Sequence, residues 1–399
     1  MNKMETQTPP QLTNLSPGSR RLNRRAFFGR MATGAALLTP GAGLLAQPEG
    51  KAKGHHGHHN ENGLTKGDAA LLRFAAAAEI LETDFWVQYN ELAGIPDSEV
   101  PGGTPITAYQ NAIIQLDADM PQYIHDNTED EFTHFTFLNA YLESKGAAPA
   151  NLDPFRTLMG STATGVNTAL IGKRLTNLTQ LTLDTSWWTR YRDPDHNPDL
   201  DPNFVFPQAV PTLFVGEHTA IPRTDSDVTD ANIKNGFVQA MANTAGFHFP
   251  TIEQGGNSLY PSMAQRATSV EVLRILISIG PTETMHFQTW QDKAGNAIPL
   301  DNVKDPVTGV SVTFPDLTKN QPETLQANLI MPEPCPFLRR NLPPCSIIRP
   351  TETEGIAMGV VKFLTDMGLF KGQPPPFFVL LNQLAADADA AEREGENGD

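Results

Sequence analysis

Two four-residue steps, Glu131-Phe-Thr-His134 and Glu283-Thr-Met-His286, put a carboxylate and an imidazole one helical turn apart on the same face. With 21 Glu and 10 His in 399 residues, about half of one such match is expected by chance. Their surroundings therefore carry the signal. Ile124, Thr128, Glu131, Phe135, Leu138 and Leu142 recur at three- and four-residue steps, the pattern of a buried helical stripe. Val270, Leu273, Ile277, Gly280, Glu283, Phe287 and Trp290 repeat it around the second step. Each Glu sits where its stripe calls for an apolar residue, and each His lies beside it. A carboxylate directed into a core is costly unless it is paired, and a metal ion is the usual partner of a convergent Glu/His set.

Two more carboxylates follow from the helices that must face these. Over Asp68–Leu92, Leu71, Phe74, Ala78, Leu81 and Phe85 form one stripe, and Leu72, Ala75, Glu79, Glu82, Trp86 and Tyr89 form its neighbour. Glu79 and Glu82 share this half-apolar face; either serves as the single ligand of that helix, with Glu79 favoured. The stretch 231–254 offers one Glu, Glu253, thirty residues before Glu283, the span of two antiparallel helical arms and a turn. Pro250 is expected to interrupt that helix just before Glu253. Two Glu-x-x-His helices and two helices each lending one Glu make the ligand set of a ferritin-like bundle holding two iron or manganese ions. In this assignment Glu131 and Glu283 bridge the ions, and His134 and His286 each bind one. Glu79 or Glu82, and Glu253, are terminal carboxylates. Carboxylates suit iron and manganese as hard, anionic ligands. Removing Glu131 is expected to relieve charge repulsion in the metal-free protein.

The segments AAAAEILETDFWVQY (75–89), EDEFTHFTFLNAYLESKGA (129–147) and ISIGPTETMHF (277–287) resemble the ferritin-like domain of desiccation-related, Rds1-like proteins. The nearest resemblance is the DE-x-x-H-x-x-FL run followed by Gly146. The likeness spans about 65–292; Gly280-Pro281 and long insertions depart from it. It implies a mainly α chain: a ferritin-like four-helix bundle with long insertions and a small irregular β-containing cap, its helices expected over about 68–92, 107–145, 231–254 and 262–291. The implied function is that of an exported di-iron carboxylate protein that oxidises ferrous iron or reacts with oxygen or peroxide in stress protection. The alternative is a metal-free bundle acting as a secreted binding or stress-protection protein, in which Glu131, His134, Glu283 and His286 form a satisfied polar network.

Asn23-Arg24-Arg25-Ala26-Phe27-Phe28-Gly29-Arg30 precedes a weakly apolar run with Gly34, Pro40, Gly41 and Gly43. This reads as a twin-arginine signal over 1–46, cleaved after Ala46, and the run is too short for a membrane span. Periplasmic or secreted localisation follows. The net charge is −16, and beyond residue 46 the chain has 23 basic and 44 acidic residues, a net −21. Such a surface disfavours nucleic acid and attracts cations, so metal ions are the expected partners. No other run approaches the length of a membrane span.

Residues 47–64 are a His-rich linker around His55-His56-Gly57-His58-His59, and 65–292 the helical domain, with a Pro- and Asp-rich surface insertion at about 184–230 containing Asp195, His196 and Asp199. Residues 293–350 read as an irregular Pro-rich cap, 351–385 as a docked C-terminal helix and 386–399 as an acidic tail. Cys335 and Cys345 are expected to close a small loop as a disulfide. The chain lacks both a Gly-x-Ser-x-Gly elbow and a His-Glu-x-x-His step, so serine-hydrolase and zinc-protease chemistry find no support.

Overall fold

The computed structural model describes residues 63–100, 102–191, 203–318 and 355–394, together with 193, 196, 332–333 and 345–346. The export signal, most of the His-rich linker, Asp195, Asp199, the Cys335–Cys345 pairing and the last five residues lie outside the described residues. The elements run α1 (Lys66–Ala93), α2 (Thr107–Ile113), α3 (Met120–Ser144), α4 (Ser186–Arg190), α5 (Asp230–Lys234), α6 (Phe237–Ala264), α7 (Val270–Ala294), β1 (Leu300–Lys304), β2 (Ser311–Phe314), β3 (Pro332–Glu333), β4 (Cys345–Ser346), α8 (Ile356–Asp366) and α9 (Pro375–Asp389). The chain is mainly helical, with β1 and β2 paired antiparallel in the register Val303↔Val312 and Lys304↔Ser311.

Four long helices surround the core. α1 packs along α3, and the 265–269 turn folds α7 back along α6. α1 is buried on nearly all sides, polar residues such as Asp84, Gln88 and Glu91 included, and only a few of its residues, such as Arg73 and Ala78, are less than fully buried. Its start is capped by Thr65, whose hydroxyl accepts the Asp68 N–H at 3.0 Å. The Asp68 carboxylate in turn accepts the N–H groups of Thr268 and Ser269, each at 2.9 Å, fixing the start of α7 against the start of α1.

Pro250 does not interrupt its helix: α6 continues through Pro250 and Pro261, and α7 through Pro281. Each proline is followed at once by a hydroxyl that donates to a carbonyl of the preceding turn. Thr251 bonds Phe247 O at 2.6 Å, Ser262 bonds Ser258 O at 2.9 Å and Thr282 bonds Ile279 O at 2.7 Å. These bonds engage acceptors in the turn where proline removes a donor; Pro250 is itself buried, whereas Pro261 and Pro281 lie on the exposed faces of their helices.

Three other expectations are corrected. The single helix over 107–145 is two, because a turn at 114–119 forms around Asp117, whose carboxylate accepts the Asp119 N–H at 2.8 Å and pairs with Lys293 at 2.7 Å. Among its described residues the 184–230 segment is not wholly a surface excursion: Trp187, Trp188, Val210, Leu213, Ala220 and Ile221 are buried. Its prolines and aspartates preclude a long helix but not burial, since side chains such as Gln208 satisfy its backbone, here accepting the Thr185 N–H at 2.6 Å. The C-terminal stretch forms two helices, turned at Gly368 and Gly372, which adopt φ of +89° and +100° that side chains disfavour. α9 reaches into the expected acidic tail, where Asp389 accepts the N–H groups of Ala357 and Met358 at 3.0 and 2.9 Å and caps α8. Among the described residues no helix is long and apolar enough to cross a membrane.

Candidate metal centre

The four long helices bring all seven sequence-predicted residues into the buried interior: Glu79 and Glu82 from α1, Glu131 and His134 from α3, Glu253 from α6, Glu283 and His286 from α7. Their potential ligand atoms form two quartets, Glu79, Glu131, His134 and Glu283, and Glu131, Glu253, Glu283 and His286, each within 4.8 Å of one another. Glu131 and Glu283 belong to both. Glu131 divides its oxygens, Oε2 lying 2.9 Å from His134 Nδ1 and Oε1 3.1 Å from His286 Nδ1. His134 Nδ1 also lies 3.2 Å from Glu283 Oε1 and 3.3 Å from Glu79 Oε2, and His286 Nδ1 lies 3.4 Å from Glu253 Oε2. Both histidines thus turn Nδ1 inward. Glu82 stands outside both quartets.

Several of these atoms are close without being aligned for hydrogen bonding. Both Glu283 oxygens, Glu253 Oε2, Glu82 Oε1 and His286 Nδ1 are buried with no hydrogen-bond partner. Orphaned polar atoms are rare in protein interiors, and a cluster of them aimed at common points is what a cation's ligands look like. The charges agree. Five carboxyls face two imidazoles, so full ionisation would leave an excess of three negative charges even with both rings protonated. Burial pushes Glu79 up to about 7, with His134 pulling it down and Glu131 pushing it further up. Burial and the neighbouring carboxylates drive Glu82 and Glu283 well above the carboxylate range, while burial raises Glu253 against the pull of His286. Glu131 alone goes the other way: burial raises it, but His134 and His286 outweigh that and hold it well below its ordinary value. For both histidines burial disfavours the proton, yet the carboxylates around them win and raise them well above the usual imidazole range.

Further residues that the sequence reading did not single out build the surroundings. Asn127 Nδ2 donates to Glu131 Oε1 at 2.8 Å and Glu253 Oε1 at 3.1 Å, while its Oδ1 accepts Trp290 Nε1–H at 2.7 Å. Trp86 Nε1–H donates to Glu253 Oε1 at 3.2 Å, and the Tyr260 hydroxyl donates to Glu79 Oε1. Asp130 Oδ2 lies 3.2 Å from His286 Nε2. A Cβ on Gly256 would come within 2.6 Å of Glu283 Oε2, so only glycine leaves that carboxylate its place. Asn127 and Asp130 were within reach of the pattern, being four residues and one residue before Glu131. Tyr260 was not, because it lies beyond the point where Pro250 was expected to stop the helix.

An open pocket of about 190 Å³ between α3 and α7, lined by Asp126, Asp130, Met285, His286 and Thr289 among others, reaches the His286 side of the cluster. A separate group, Asp97, Glu99 and His125, gathers where the chain leaves α1, with His125 Nε2 3.3 Å from Asp97 Oδ2. In the insertion His196 Nδ1 pairs with Asp193 Oδ2 at 2.9 Å. Comparison of the chain with protein-family models, with curated proteins and with solved structures finds no match.

Proposed function

We propose that this chain is an exported ferritin-like four-helix-bundle protein that holds two iron ions, manganese being the alternative, and that oxidises ferrous iron or reacts with oxygen or peroxide in stress protection. The observation that carries this reading is the pair of buried quartets sharing Glu131 and Glu283. Each quartet supplies one imidazole nitrogen and three carboxylates, the donor set that iron and manganese favour. The metal-free alternative is opposed by the orphaned oxygens of Glu253 and Glu283, which a satisfied polar network would not contain.

In this reading Glu131 and Glu283 would be shared between the two ions, Glu79 and His134 would hold one of them, and Glu253 and His286 the other. Glu82 is a reserve carboxylate on the next turn of α1. Asn127 steers one oxygen each of Glu131 and Glu253 by hydrogen bonds, which leaves Glu253 Oε2 without a partner and Glu131 Oε2 turned to His134. Asp130 accepts the Nε2 proton of His286 and so selects the tautomer with a lone pair on Nδ1. Tyr260 does the equivalent for Glu79 by occupying Oε1 and leaving Oε2 inward. A bound di-iron pair would supply one-electron redox chemistry towards dioxygen or peroxide. Asp126 and Asp130 at the mouth of the open pocket favour approaching cations. Export through the twin-arginine route, which carries folded proteins, is consistent with metal acquired before translocation.

The test is metal analysis of the protein purified after export. About two iron or manganese ions per chain are expected from the ligand set. Fewer than about half an ion in the wild type, after growth in iron- and manganese-replete medium, would overturn the proposal.

A further inference from the structure

The cluster has a second approach, of opposite character to the acidic pocket. Between α1 and α6, beneath α8, lies a cavity walled by Leu81, Phe85, Ile252, Leu259, Phe363 and Leu364. Among the described residues its polar lining is Glu79, Glu82 and Tyr260, which stand at the cluster itself. The cavity offers about 30 Å³ of free space, enough for about two water-sized molecules. Water is poorly served there. Polar groups line only the end formed by Glu79, Glu82 and Tyr260, whose hydroxyl already donates to Glu79 Oε1; a buried water usually makes about three hydrogen bonds, which the apolar walls away from that end do not supply. Small, dry apolar cavities instead hold small apolar molecules.

α8 has no part in the ligand set, yet it turns Val360, Phe363 and Leu364 onto this space, and Asp389 caps its N-terminus. On the α6 side Gly255 and Gly256 interrupt the wall formed by Ile252, Leu259 and Tyr260. We propose that this cavity is a binding site for a small apolar molecule of the size of dioxygen, delivered beside Glu79 and Glu82, while cations use the acidic pocket on the His286 side. The significance of that delivery rests on the di-metal reading; the binding itself does not.

Xenon is the probe. Crystals of the protein as purified, pressurised with xenon, should show a xenon peak between Phe85, Leu259 and Phe363. Gly255 lines the cavity and a Cβ built on it meets nothing within 4 Å, so Gly255→Leu adds bulk at the cavity wall without displacing backbone. That variant should lose the peak while keeping any xenon bound elsewhere. Leu364→Trp, which fills the space from the α8 wall, should do the same. The proposal is overturned if the wild type shows no xenon here, if ordered water occupies the space instead, or if both variants retain the peak. Metal content measured on the same preparations separates the two readings. Xenon without metal sinks only the di-metal proposal; metal without xenon sinks only this one.

Discussion

Glu283→Gln should affect the protein with opposite signs depending on whether metal is present. Glu283 is completely buried, and neither oxygen has a hydrogen-bond partner. Burial first, then the charges of Glu131 and Glu79, drive its carboxyl well above the ordinary range. In the metal-free protein at neutral pH its charge is thus a burden, and an isosteric amide removes it. The amide stays polar but removes the ionisation that burial, Glu131 and Glu79 oppose, and its NH2 is a donor among carboxylates; together these are worth about 1–3 kcal/mol. For a chain this size that is an upward shift in Tm of roughly 2–6 °C in chelator. In saturating metal the order should reverse. Wild type held at one hundred times its Kd gains about 2.7 kcal/mol, and the variant, having lost an anionic ligand common to both quartets, gains little of it. Paired thermal melts by circular dichroism, in chelator and in excess metal, give the four values needed. A variant that melts lower than wild type in chelator, yet rises with metal as far as wild type does, would refute the reasoning.

Glu131→Gln should behave differently in chelator, and here the geometry corrects the expectation that losing Glu131 relieves repulsion. Its oxygens lie 2.9 and 3.1 Å from two imidazole nitrogens, so the metal-free protein should lose about 1.5–3 kcal/mol in urea unfolding. His248 supplies a pH test. It is fully buried, its Nδ1 2.8 Å from the Tyr89 hydroxyl, and burial lowers it to about 3. The neutral ring's contribution is fully present above the unfolded value near 6.5 and is lost as pH falls towards 3, at about 1.4 kcal/mol per pH unit. His248→Phe should flatten the stability profile by that slope between pH 6 and 4, measured against wild type so that the carboxylates cancel; an unchanged slope would count against a neutral buried ring. Replacing Arg24 and Arg25 together with Lys should leave the precursor in the cytoplasm on fractionation, and normal export of that variant would end the twin-arginine assignment.

Much of the cluster was legible in one dimension because a helix leaves little freedom. Once Glu131 and Glu283 occupy apolar slots of a stripe, their direction is set, and His134 and His286 follow three residues on. Periodicity could not choose between Glu79 and Glu82, which sit about 60° apart around the same helix and share its half-apolar face. The rotation of α1 against α3 and α6 decides that, turning Glu79 Oε2 to 3.3 Å from His134 and leaving Glu82 aside. Pro250 misled for a related reason. Local propensity marks it as a breaker, but Thr251 bonds the preceding turn and burial of the helix supplies the remaining stability. The described part of the Pro- and Asp-rich 184–230 segment forms no long helix, yet it buries several of its side chains. Whether Trp187 is buried depends on what lies opposite, here Thr251, whose hydroxyl accepts its indole N–H at 2.9 Å. Sequence alone determined which residues bear charge into the core and at what spacing, because those are properties of one helix. Tertiary structure decided which charges meet, which oxygens Asn127, Tyr260 and Trp86 satisfy and which remain bare, because those depend on distances between helices that no single segment encodes.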